Sequence, residues 1–178
     1  MPRAIGGDLL QSFRFHVVSS VLPGEEIDPL VANSQASPGG EAGFQSVTLP
    51  ELTVEAVEYR EGTFKWTRKY PGIPTWGDVT LMQGIARSNT VFMDWAKRVA
   101  TGGEYRVDLT IYHAHRDESP PEEGPQSIAA TSRYYVLHNA FPVRAKMASD
   151  LDSSTGDVSV AEMDVAYEYA DITAPEAA

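Results

Sequence analysis

The sequence predicts a mainly β chain, a small antiparallel barrel or sandwich with one α-helix on its flank. Three observations predict it. Apolar and polar residues alternate strictly in places, most cleanly where Tyr105, Val107, Leu109 and Ile111 are separated by Arg106, Asp108 and Thr110; this is the period of a half-buried strand. A single segment instead repeats its apolar residues at helical spacing: Val91, Phe92, Trp95, Ala96 and Val99. Turn residues separate the remaining segments, so roughly seven or eight strands and one helix fit an antiparallel layer architecture.

The elements follow in chain order. Residues 11–18 alternate around Phe13, Phe15 and Val17 as a strand does. Over 19–42, Pro23, Gly24, Pro29, Pro38, Gly39 and Gly40 cannot sustain a ladder. That stretch reads as a long loop, the kind that orders against a neighbour. Residues 43–70 read as β structure with turns. Leu52, Val54 and Ala56 share one parity and Val57 and Tyr59 the other, which predicts a bulge or burial on both faces. Glu61-Gly62 supplies a turn. Phe64, Trp66 and Arg68 then share one face of a returning strand, with Lys65 and Thr67 opposite, and Pro71-Gly72 and Pro74 break the hairpin.

Val79 and Leu81 open another strand that weakens at Gly84. Ser88, Asn89 or Thr90 caps the helix, Lys97 and Arg98 suit its C-terminal dipole, and Gly102-Gly103 ends it. After the strand around Leu109, Asp117 to Gly124 form an acidic, Pro-rich loop. Residues 132–139 and 142–148 read as two strands with a break at Pro142. The last strand, from Asp157 to Tyr169, turns Met163, Val165, Tyr167 and Tyr169 one way and Glu162, Asp164, Ala166 and Glu168 the other. The acidic tail over 171–178 reads as disordered. Trp95 is pinned to the core by the helix period. Trp66 and Trp76 are candidate interface anchors, with ordinary burial as the bland alternative.

All 178 residues read as one domain with a core over 11–170, and 42% hydrophobic with 22% charged residues is ordinary for a globular chain. The lack of cysteine excludes disulfides, thiolate metal sites and a cysteine nucleophile. The net charge is −11, and from Met147 onward there are acidic residues but no Lys or Arg. A basic footprint for gripping nucleic acid is therefore missing, so stable nucleic-acid binding is not expected. An acidic wall repels phosphates, which suits a conduit; plain solubility is the bland reading. Arg3 has no apolar segment after it. No stretch approaches the ~20 apolar residues of a membrane helix, so direct membrane anchoring is not expected. The expectation is synthesis in the cytoplasm, with any export depending on a larger particle.

Catalytic constellations are weak. Gly-x-Ser-x-Gly is absent, and no glycine pair leads into the Gly-Lys-Ser/Thr of a phosphate loop. His113 and His115 with Glu118 resemble a cupin metal site, but position 107, where cupins carry glycine, holds Val107. No cofactor is expected and the chain is not expected to be an enzyme. A metal-dependent barrel using His113 and His115, and a stand-alone barrel enclosing an apolar ligand, are the alternatives.

An ordered set of short motifs is more specific. Phe13 and Phe15 lie in a first strand; Gly43-Phe44-Gln45-Ser46-Val47 follows. Next come Tyr59-Arg60-Glu61-Gly62, then Arg68 before Pro71-Gly72, and Val79-Thr80-Leu81 with Gly84. Phe92 and Trp95 sit on the helix, before Arg106-Val107-Asp108-Leu109-Thr110-Ile111 and Asn139-Ala140-Phe141-Pro142. In this order, over about 11–170, they resemble the tail-tube protein family of contractile phage tails and phage-derived contractile injection systems. The 19–42 loop and the 117–126 insertion are longer than the family pattern.

The resemblance implies a tail-tube-like fold and a structural role. Six copies would form a ring, and rings would stack into a hollow tube inside a contractile sheath. Sheath, baseplate and cap proteins would be partners, with DNA or a protein effector as cargo in the lumen of a phage tail or released injection particle. On that reading Tyr59, Arg60, Glu61, Gly62, Trp66, Arg68 and Lys69 are the candidate inter-subunit contacts; an ordinary solvated hairpin is the plain alternative.

Overall fold

A computed structural model describes residues 12, 15–20, 44–62, 64–85, 91–113, 133–149 and 156–173. Its elements are β1 (Phe15–Ser19), β2 (Phe44–Val47), β3 (Leu52–Tyr59), β4 (Arg68–Trp76), β5 (Val79–Gly84), α1 (Val91–Thr101), β6 (Val107–His113), β7 (Arg133–Lys146), β8 (Val160–Ala166) and β9 (Tyr169–Thr173). Seven strands form one antiparallel sheet in the order β1-β6-β7-β8-β5-β2, with β9 also on β7, while β3 and β4 pair only with each other. The mainly β, one-helix expectation holds. Among the described residues no ladder joins β1 to β2, so the sheet stays open.

β7 organises the molecule. Its first half pairs with β6 on one side and β9 on the other, and its second half pairs with β8. Register runs on from Phe141↔Ala166 to His138↔Tyr169, so β8 and β9 together track β7 along its length. Two expectations are corrected. Residues 133–146 are one strand, because Pro142 falls at a register shift in the β7–β8 ladder, where no N–H is needed. Asp171 to Thr173 belong to β9, held against Tyr134 to Val136, and are no disordered tail; residues 174–178 lie outside the described residues.

The long ribbon bends where Asn139 adopts φ 54°, a left-handed conformation that asparagine tolerates better than most residues. Side chains replace the interrupted ladder there. The Asp108 carboxylate accepts from the Asn139 backbone N–H at 2.9 Å, and Asn139 Nδ2 donates to Glu168 at 2.9 Å. Arg106 closes the cluster by pairing with Glu168. The parity expected along Asp157 to Tyr169 also breaks at this bend: Met163, Val165 and Tyr167 are buried, but Tyr169 is exposed and Ala170 is buried instead.

The core is built by the alternations read from the sequence. Val79 and Leu81, Val107, Leu109 and Ile111, and Met163 and Val165 are all buried, joined by Leu137 from β7. Phe92 and Trp95 lay α1 on this core, and Trp95 Nε1 donates to the Tyr105 carbonyl at 2.7 Å. The helix ends as its glycines predict: Gly102 takes φ 74°, and the Gly102 and Gly103 amides donate back to Val99 and Arg98. Val17 of β1 is buried and Phe15 packs on the core, whereas Phe13, the helix caps at 88–90, the loop at 117–124 and almost all of 19–42 lie outside the described residues.

Candidate assembly surface

The β3–β4 hairpin stands apart from the sheet. It is tethered at its base, where the Gly77 amide donates to the Glu51 carbonyl at 2.9 Å and the Trp76 ring lies 5.9 Å from that of Tyr167. Beyond that tether every residue of β3 is exposed, as is most of β4. A two-stranded hairpin is marginal in water without a layer to cover it, and this one carries Leu52, Val54, Val57, Tyr59, Tyr70 and Ile73 uncovered, Ile73 at 78% exposure.

The predicted bulge is present, between Val54↔Pro74 and Ala56↔Pro71, with the extra residue on β4. Burial on both faces, its alternative, is not found among the described residues. Gly72 sits in the bulge because a Cβ there would meet the Glu55 carbonyl oxygen at 2.8 Å and Val57 Cγ2 at 3.2 Å. Pro71 and Pro74 do not break the hairpin as expected. They sit inside β4, a strand whose outer edge has no ladder among the described residues. The returning strand begins at Arg68, so Phe64, Lys65, Trp66 and Thr67 belong to the connection, which tightens where the Phe64 amide donates to the Glu61 carbonyl at 3.1 Å.

The expected contact residues cluster at the tip. Tyr59 lies opposite Arg68 and Glu58 opposite Lys69. Arg68 reaches Glu61 at 3.8 Å and lies 4.8 Å over the Phe64 ring; Lys69 pairs with Glu58 at 3.3 Å. These are exposed pairs worth little to the fold. Gly62 holds the turn, Trp66 is 68% exposed, and Arg60 forms no ion pair among the described residues. Of the three tryptophans, Trp95 is core, Trp76 is half-buried at the hairpin base and Trp66 is displayed. Sequence reasoning missed the apolar residues beside the charged tip. Their signal was the change of parity between Ala56 and Val57.

A second surface is polar. On β8, Glu162 and Asp164 turn away from the core, and Arg144 of β7 reaches them at 2.7 and 2.9 Å. Burial pushes the Asp164 carboxyl up, but hydrogen bonds from Arg144 and from Thr80, at 2.8 Å, outweigh it and hold the group below its ordinary value. Two carboxylates of the expected acidic wall are thus partly neutralised.

The alternative readings rest on other residues. His113 closes β6, paired with Phe15 and Arg133, while His115 and Glu118 lie outside the described residues. No three His, Asp or Glu groups gather to hold a metal among the described residues. A cavity of about 210 Å³ between α1 and β5, lined by Gln83, Ile85, Phe92, Met93 and Met147, is small beside the ~300–1,000 Å³ of ordinary ligand sites. No described helix is long and apolar enough to cross a membrane.

Comparison with individually curated proteins gives no match. The fold has close counterparts among solved structures. A chain of the anti-feeding prophage baseplate superposes with TM-score 0.71 at 15% identity, covering 94% of this chain and 97% of that one. A chain of the sheath–tube complex of the PVC extracellular contractile injection system, in its extended state, superposes with TM-score 0.70 at 20% identity, covering 96% and 95%. An Hcp protein gives TM-score 0.53 at 9% identity, covering 86% and 89%. The fold therefore has known precedents, and the family described as T4-like virus tail tube protein gp19 matches residues 11–171: the chain belongs to that tail tube family.

Proposed function

We propose that this chain is the repeating subunit of the inner tube of a contractile injection system or contractile tail, assembling into stacked hexameric rings around a lumen. The observation that carries the reading is the uncovered hairpin. A two-stranded ribbon with exposed apolar residues on a finished core is an element built to be completed by another copy. Membership of the tail tube family supports this use of it. The work is mechanical: a stiff bore inside a sheath, ended by baseplate and cap, through which DNA or a protein effector passes. The Glu162, Asp164 and Arg144 face is the candidate lumen lining, since two carboxylates against one guanidinium leave it net acidic. No step in this role needs a catalytic group.

Arg60→Glu tests the reading. Arg60 is exposed and outside the core, so the variant is expected to melt as the wild type does yet form no tubes in negative-stain images. Tubes at normal yield would remove this turn from the interface. Wild-type chain that stays single-copy at every concentration and salt would overturn the tube reading itself.

A further inference from the structure

His138 lies between two carboxylates carried by two different strands. From β7, its Nδ1 stands 3.4 Å from Asp108 of β6, and its Nε2 stands 3.2 Å from Asp171 of β9. The Tyr169 ring stacks on the imidazole at 4.4 Å and 21°, so the ring cannot swing away from either carboxylate without losing that contact. Carboxylates only accept hydrogen bonds, and a neutral imidazole has a single N–H. A neutral ring here therefore turns a lone pair toward one of the two carboxylates. Only the doubly protonated ring faces both with an N–H, and its charge also suits the aromatic face stacked on it. We propose that His138 is a proton-operated clasp: charged, it bridges β6 to β9 across β7; neutral, it releases one carboxylate and loosens the final strand.

The neighbouring charges do not make this bridge in another way. Arg106 of β6 is taken by Glu168 of the β8–β9 connection, whose other oxygen accepts from Asn139. Asp108 also accepts from the Asn139 amide, but among the described residues no Lys or Arg pairs with Asp108 or with Asp171. Farther along β7, Arg144 is held by Glu162 and Asp164 of β8. The helix packs on the core through Phe92 and Trp95, and its Lys97 pairs with Asp94. Among the described residues β9 has a single ladder, that to β7, so a side-chain tie matters to it, and Ala170 beside Asp171 is part of the core rim that the strand closes. The contribution of the clasp is present while the ring carries both protons and is lost as rising pH removes the second. It is a property of the single chain and does not depend on tube assembly.

Amide exchange of the unassembled full-length chain, read residue by residue by NMR at about pH 5.5 and about pH 8, brackets the range in which imidazole changes charge. After correction for the intrinsic effect of pH on exchange, Ala170 to Ile172 are expected to be about two- to fivefold better protected at the lower pH, relative to Leu109 and Ile111 of the core, which is the size of an exposed ion pair. His138→Gln keeps a polar side chain but gains no proton, and Asp171→Asn removes the charge at the β9 end; each should abolish the difference. Equal protection of the wild-type strand at both pH values, or a response that survives in either variant, would overturn the clasp. His16, His113 and His115 are kept in both variants, so a response that belongs to them would survive. If His138→Gln does not fold, Asp171→Asn, at a side chain 67% exposed, decides the question alone.

Discussion

Asn139 shows how one side chain sets a bend. Its φ of 54° is affordable to asparagine, and the Asp108 carboxylate holds the backbone amide that the bend would leave unpaired. Asn139→Ala is expected to destabilise the fold by about 1–2 kcal/mol in urea unfolding, because alanine resists the left-handed region and loses the bond to Glu168; Asn139→Gly should recover part of that loss. The same cluster gives a pH response. Hydrogen bonds from Asn139 and then Arg106 hold the Glu168 carboxyl below its ordinary value. Asp164, where hydrogen bonds from Arg144 and Thr80 overcome the upward push of burial, is also low. A carboxyl that titrates lower in the folded than in the unfolded chain stabilises fully above its unfolded value and loses that effect as pH falls through the folded one. Stability should therefore be flat near neutrality with respect to these groups and fall below their ordinary values of 3.8 for Asp164 and 4.5 for Glu168. Glu168→Gln should lower stability at neutral pH and flatten the acid limb, read by thermal melts across pH.

At the scale of elements, α1 and the hairpin are opposites. The helix is stabilised by its own face on the core, its stop at Gly102 and the Trp95 bond to Tyr105. Trp95→Phe keeps most of the apolar area and is expected to cost about 0.5–1.5 kcal/mol for the lost hydrogen bond, measured by chemical denaturation. Apart from Trp76 at its base, the hairpin adds no side chain to the described core, so it is expected to contribute little to monomer stability. Gly72→Val should leave the melting temperature of the monomer nearly unchanged and abolish tubes, because the added side chain pushes Glu55 and Val57 out of place. A large drop in monomer stability would show that the hairpin is part of the folding unit.

At the scale of the whole molecule, the fold is a sheet with an uncovered extension, and protection should follow that division. In the monomer, backbone amides of β3 and β4 are expected to exchange with solvent far faster than those of β6, β7 and β8; in tubes, the hairpin amides should slow sharply. Core truncation belongs to the same scale. Leu137→Ala, in a fully buried site on β7, should cost about 2–5 kcal/mol and lower tube yield through loss of folded subunit, a pattern that Arg60→Glu does not share.

The alternations of β6 and β8, the helix with its glycine stop and the hairpin turn at Glu61-Gly62 were legible in the residues, because periodicity and turn chemistry are local. The ordered motifs also pointed to the tail tube family, and the charged character of the hairpin tip was legible beside its turn. Four features needed distant partners. Pro142 sits harmlessly within a long strand because a register shift in the pairing with β8 receives it. Asp171 to Thr173 are ordered because β7 offers them an edge. Pro71 and Pro74 remain in β4 because no described strand asks for their missing N–H groups. The apolar parity of β3 is uncovered because the sheet lies elsewhere. Local pattern fixes which face of a strand is apolar; only the arrangement in space decides what, if anything, covers it.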